Sequence, residues 1–249
     1  MGVGIAGLVC GRMILALAAI ALADDAHLVY DLTIDGQKAG TRTVDIRFLP
    51  REDGERRVLN VYTELSVAGV AVRCRESASS SPRGANFSAS TEIAGVISQV
   101  QGIEVPGGGW RLTRAEGDGV HESNLTSLQA RLTTLDLLDP GRTALLQTPG
   151  AMGIIVAETG DLLAGTVADG APVAVKIANQ NVPATRFSVQ GADGLARFDI
   201  DGNGVLLRSE IRTFGATIVA TVHSVPPVRS YGTIQTIEAM GAGVSEEGL

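Results

Sequence analysis

The residues of this chain that could do chemistry are few: three histidines, two cysteines and a scatter of carboxylates. His27, His121 and His223 lie far apart, and both end ones read as solvent-exposed. His121-Glu122 begins like a zinc-protease motif, but the second histidine of that helix is missing. No Gly-x-Ser-x-Gly elbow is present, and no serine has an evident His/Asp retinue. Asp199-x-Asp201-x-Asn203-Gly204 faintly resembles a calcium loop, although a hairpin turn accounts for those residues better. Asn86-Phe87-Ser88 and Asn124-Leu125-Thr126 match short glycosylation acceptors, a pattern that chance supplies often. Pro106-Gly107-Gly108-Gly109 is a turn, since a phosphate loop needs a Lys-Ser/Thr ending and a following helix. This inventory assigns no catalytic residue, no metal ligand and no cofactor. An enzyme reading survives through one route, two buried carboxylates meeting in the fold without being neighbours in sequence.

What would position such groups is a run of short strands. Between Val182 and Val222, Phe187 and Val189, then Ala196, Phe198 and Ile200, then Leu207 and Ile211 alternate with polar residues, Arg197 and Arg208 among them. The turns between them, Gly191-Ala192-Asp193-Gly194 and Asp201-Gly202-Asn203-Gly204, complete an antiparallel hairpin pattern with one face buried. The same design occurs around Asp35-Gly36, over residues 59–67 and 70–74, and at 87–93, 96–105, 110–114, 173–177 and 216–222. Cys74 falls on the apolar side of its alternation and reads as a small buried side chain. Residues 77–84 read as a Ser/Pro/Gly loop, and 150–170 are hard to decipher. Leu125, Leu128, Leu132 and Leu135 recur at three and four residues, which predicts the chain's one helix, capped by Ser123 or Asn124 and stopped at Asp139-Pro140-Gly141.

Composition narrows the function classes. With 45% hydrophobic and 19% charged residues the chain can bury a core, and a net charge of −7 argues against a nucleic-acid partner. Arg12, the apolar run from Met13 and the ending Ala21-Leu22-Ala23 have the form of a secretory signal cleaved near Ala23/Asp24. The run is too short to cross a bilayer, so no integral membrane segment is expected after processing. Cys10 is then lost and Cys74 stays single. The expected organisation is a signal peptide over 1–23, a single β-rich domain over 24–225 and a partly disordered extension over 226–249, in a periplasmic or secreted protein.

Tyr30-Asp31-Leu32-Thr33-Ile34-Asp35-Gly36 followed by Ala39-Gly40 resembles the opening of uncharacterised bacterial cell-envelope domains. Val182-Pro183-Ala184-Thr185-Arg186-Phe187, Phe198-Asp199-Ile200-Asp201 and Gly204-Val205-Leu206-Leu207-Arg208 resemble their closing hairpins. Such domains follow a signal peptide alone or sit beside transglutaminase-like domains, whose Cys-His-Asp set this chain does not show. They look distantly like the lipoprotein-localisation carriers, curved half-barrels closed by a helical lid over an apolar cavity. The resemblance implies a fold and a compartment but no activity.

The expected fold is mainly β: a curved antiparallel sheet, half-barrel or flattened barrel, of about ten strands, with one short helix over 125–138 near its opening. The leading function is non-catalytic binding or carriage of an apolar small molecule or lipidated protein, with Leu128, Leu132, Leu135, Phe187 and Phe198 lining the ligand. The alternative is a structural or protein-interaction module of the envelope, and the third reading is an enzyme acting on glycan or lipid.

Overall fold

Period-two alternation governs nearly the whole chain, and the computed structural model, which describes residues 25–51, 54–192, 194–213 and 216–226, turns it into one mostly antiparallel sheet of 16 strands. The first arm is a meander: β1 (Ala26–Ile34), β2 (Gln37–Leu49), β3 (Arg56–Val67), β4 (Val70–Ser81), β5 (Gly84–Ile93), β6 (Val96–Glu104), β7 (Gly109–Glu116) and β8 (Gly119–Thr126). The second arm is β9 (Leu132–Thr133), β10 (Gly150–Ile155), β11 (Leu162–Val167), β12 (Ala171–Ile177), β13 (Gln180–Gly191), β14 (Gly194–Ile200), β15 (Leu206–Thr213) and β16 (Ala216–Val222). The arms join where β1 pairs β16, with Tyr30 opposite Val222 and Ile34 opposite Ile218. β12 lies beside β13 off the main path, and β9–β10 is a parallel pair.

Turn chemistry sets the hairpins. Asp35 and Gly36 both have positive φ, 49° and 79°, as a two-residue turn matched to strand twist requires. Inward side chains from both arms merge in one core that includes Tyr30, Ile46, Leu59, Trp110, Leu132, Ile154, Phe187 and Phe198. The sheet is rolled: Arg114 on β7 donates to the Gly160 carbonyl and, at 3.1 Å, to Asp161, both beyond β10 at the other end of the strand order. The outermost strands of that order, β8 and β9, do not pair, so the roll has an open seam spanned by residues 127–131.

Three expectations need correction. The strands number sixteen where about ten were expected: 77–81 lengthens β4 where a loop was read, and 119–126, 132–133 and 150–167 supply β8, β9, β10 and β11. Serines hid the first of these: Ser80 points inward and donates to Asp139 at 2.6 Å, a polar residue in a core register. The helix over 125–138 does not form. Leu125 ends in β8, Leu132 is in β9, and only Asp136–Leu138 and Thr143–Gln147 make short 3-10 turns. The leucine spacing comes from a strand end, a tight turn and a second strand laid head to tail.

Residues 132–147 plug one end of the roll, burying Leu135, Leu137, Leu138 and Leu146. A buried ionic group pins the plug. Arg57, with no solvent exposure, donates to Asp139 at 3.2 Å and to Glu55 at 2.8 Å, while Arg142 Nε lies 2.5 Å from Asp136. Gly141 permits this approach, since a Cβ there would lie 1.2 Å from Arg57 Nη1. Residues 1–24 and 227–249, to which the signal and most of the C-terminal extension were assigned, lie outside the described residues.

Candidate functional site

The five side chains expected to line a ligand divide sharply. Leu132, Leu135, Phe187 and Phe198 meet in the common core, with Phe187 and Phe198 in register on β13 and β14. Leu128 lies on the 127–131 connection and is 87% exposed. The void beside Leu135 and Trp110 measures about 10 Å³, room for about one water molecule and none for an acyl chain. These residues therefore form packed interior and one bare surface leucine.

A second polar group lies where the start of the plug meets the β10–β11 connection. Arg42 on β2 donates to Glu158 Oε1 at 2.5 Å and to Thr63 on β3 at 2.9 Å. Glu158, in the β10–β11 connection, also accepts from Thr134 at 3.3 Å, and its carbonyl accepts from Thr91 at 3.1 Å. Cys74 Sγ lies 3.2 Å from the same Thr91 hydroxyl. Burial pushes the Cys74 thiol up to about 12, so it is an inert, protonated side chain. Glu76, two residues along β4, is buried, and neither of its carboxylate oxygens has a hydrogen-bond partner among the described residues. Burial, then the charge of Glu158, push its pKa up to about 8 against the opposing pull of Arg42.

Two carboxyls that are far apart in sequence thus share one guanidinium. Chemically the group holds one proton on Glu76 at neutral pH and one ion pair between Arg42 and Glu158. Glu76 is buried, and the ion pair fastens the 156–161 loop to β2. A legible signal existed: Arg42 and Glu76 occupy inward positions, between Gly40 and Val44 and between Cys74 and Ala78.

The calcium-like run behaves as a hairpin. With Glu210 twelfth from Asp199 its spacing is complete, yet both acids are committed to arginines on the outer face of β13–β15. Arg186 grips Asp199 with two bonds of 2.6 and 2.8 Å, and Arg208, Arg197 and Arg212 bond to Glu210 at 2.8, 3.1 and 3.1 Å. Burial would raise the Glu210 pKa, but these arginines together bring it below the ordinary value. Asp201 caps the turn, accepting from the N–H groups of Asn203 and Val205 at 2.9 and 2.8 Å.

An open groove of about 530 Å³ crosses the outer face of β2–β6, floored by Asn60, Tyr62, Arg75, Ser88, Gln99 and Gln101. Sequence reasoning passed over these residues because each is an unremarkable polar position in a strand; only their register brings them together.

No protein-family model matches the sequence, and no curated protein does. Among solved structures the chain is similar to the crystal structure of a beta-barrel-like protein of a domain of unknown function, DUF1849, from Brucella abortus. The TM-score is 0.56 at 12% identity, over 82% of this chain and 97% of that one. At that identity the likeness is one of fold alone, and what it shows is that this chain is a β domain of barrel-like architecture.

Proposed function

We propose that the protein is an exported, non-catalytic binding module of the bacterial envelope that holds its ligand on the outside of a solid rolled sheet. One observation carries this reading: the interior around Leu132, Leu135, Phe187 and Phe198 is filled, while the 530 Å³ groove lies open on the outer face. Export rests on Arg12, the apolar run and Ala21-Leu22-Ala23. A protein-interaction module is the same reading with a polypeptide on that face.

Carriage of an apolar cargo is the second reading, favoured by the open seam and by the irregular plug, which is the interior's cover at one end. In that case the plug must swing out, breaking Arg57–Asp139, and the leucines it removes must be replaced by lipid.

A photo-crosslinking residue at Gln99 in the groove, and a control at exposed Arg111 on β7, separate the two when introduced in cells. The outside reading expects a periplasmic product beginning near Asp24, adducts at Gln99 and none at Arg111. Native mass spectrometry and an environment-sensitive fatty-acid probe complete the test. Co-purified lipid, or saturable probe binding with no adduct at Gln99, makes the protein a carrier.

A further inference from the structure

The outer groove is made from two consecutive outward rungs of the sheet. One rung runs Thr43, Tyr62, Arg75, Ser90, Gln99, each opposite the next across β2–β6. The rung beside it runs Asp45, Asn60, Ser77, Ser88, Gln101 in the same way. At about 4.8 Å per strand, the floor is about 19 Å long. Its depth follows from side-chain size. Asn60, Ser77 and Ser88 are short, whereas Tyr62 and Arg75 rise beside them and Gln99 and Gln101 stand at one end.

The chemistry of this floor is selective. All ten rung positions are polar, Val61, Glu76 and Ala89 also line the groove between them, and on the rungs formal charge cancels between Asp45, which His27 meets at 2.7 Å, and Arg75, which lies 5.9 Å from the centre of the Tyr62 ring. The amides of Asn60, Gln99 and Gln101 make no hydrogen bond to protein among the described residues, so donors and acceptors stand ready on one surface. An apolar ligand would strip water from these groups without replacing its hydrogen bonds. A polyanion finds no excess of cations here, in contrast to the four arginines on β13–β15. A peptide strand cannot add by backbone pairing, because β2–β6 all have neighbours on both sides. What matches is a ligand whose every group both donates and accepts, carries no charge and offers a weakly apolar face to Tyr62 and the Arg75 stem.

We propose that the groove over β2–β6 binds a neutral saccharide chain lying across the strands. This rests on the reading that the ligand sits outside the roll. The test is a titration of the isotopically labelled mature protein with cellotetraose and with chitotetraose, followed by amide chemical shifts. At least one sugar should give saturable shifts confined to β2–β6. Asn60→Ala with Gln101→Ala, both exposed, should weaken binding about tenfold while leaving the melting curve unchanged. Ser88→Trp, which fills the groove, should abolish it. Shifts that map elsewhere, or a double variant that binds as well as the parent, overturn the assignment. If neither sugar shifts the groove while Gln99 still captures a partner in cells, the saccharide falls and outside binding stands. If neither result is obtained, both fall.

Discussion

Glu76 is the residue whose chemistry departs furthest from its surroundings. Its carboxyl is 4% exposed, unpartnered among the described residues and raised to about 8, against 4.5 for the free side chain. The folded protein therefore holds a proton that the unfolded chain releases between about pH 4.5 and about pH 8. Stability must fall as pH rises through that window, by at most about 1.4 kcal/mol per pH unit for one group, and level off above it. Glu76→Gln keeps the shape, removes the titration and should melt higher than the parent at pH 8 with a flatter pH dependence. Parallel melts from pH 5 to 9 check this; equal slopes in the two proteins would mean that Glu76 is ionised throughout. Glu158 resists the same treatment, because Glu158→Gln leaves Arg42 facing a neutral amide and frees the loop it anchors.

At the level of elements, the β13–β15 hairpins show how far alternation can be trusted. Phe198 points inward as its spacing predicts, and Phe198→Ala should cost about 3–5 kcal/mol. Arg186, Arg197 and Arg208 point outward, which by spacing alone makes them cheap to remove. Yet Asp199 beneath them is 1% exposed. Arg186→Ala takes away both close bonds to that carboxylate and should cost about 2–4 kcal/mol. Denaturant melts give the comparison, and a loss below about 0.5 kcal/mol for Arg186→Ala would show that Arg208 suffices alone. The hairpins were legible because apolar alternation and Asp/Gly/Asn turns agree there. The 125–138 stretch was not, since four leucines at helical spacing fit a strand–turn–strand equally well in so short a window. The serine-rich end of β4 was silent for the opposite reason: its inward residue is polar and satisfied by Asp139, which arrives from 59 residues away. The groove was invisible because register, which no single strand encodes, assembles it.

The molecule as a whole is a roll with a strong middle and a weak edge. β1, β2, β15 and β16 are paired on both sides, whereas β8 and β9 border the seam. Opening free energy should grade accordingly, since edge amides open without global unfolding. Hydrogen exchange at Tyr30 and Leu32 is expected to be slower than at the seam-facing amides of β8 by about a hundredfold or more. Uniform protection across the sheet would show that the seam closes in solution. It would also remove the door through which apolar cargo could enter.

The pairing of β1 with β16 has a consequence for the order in which the chain can be completed. Asp31 and His223, joined at 2.8 Å across this junction, are 192 residues apart. Each hairpin of the first arm can form as soon as its two strands leave the ribosome, but β1 keeps one bare edge until the last strand has been made. Closing so long a loop costs entropy that only the finished junction repays. A chain built this way stays incomplete, and hence threadable, throughout its synthesis. The export proposed above would need just such a delay.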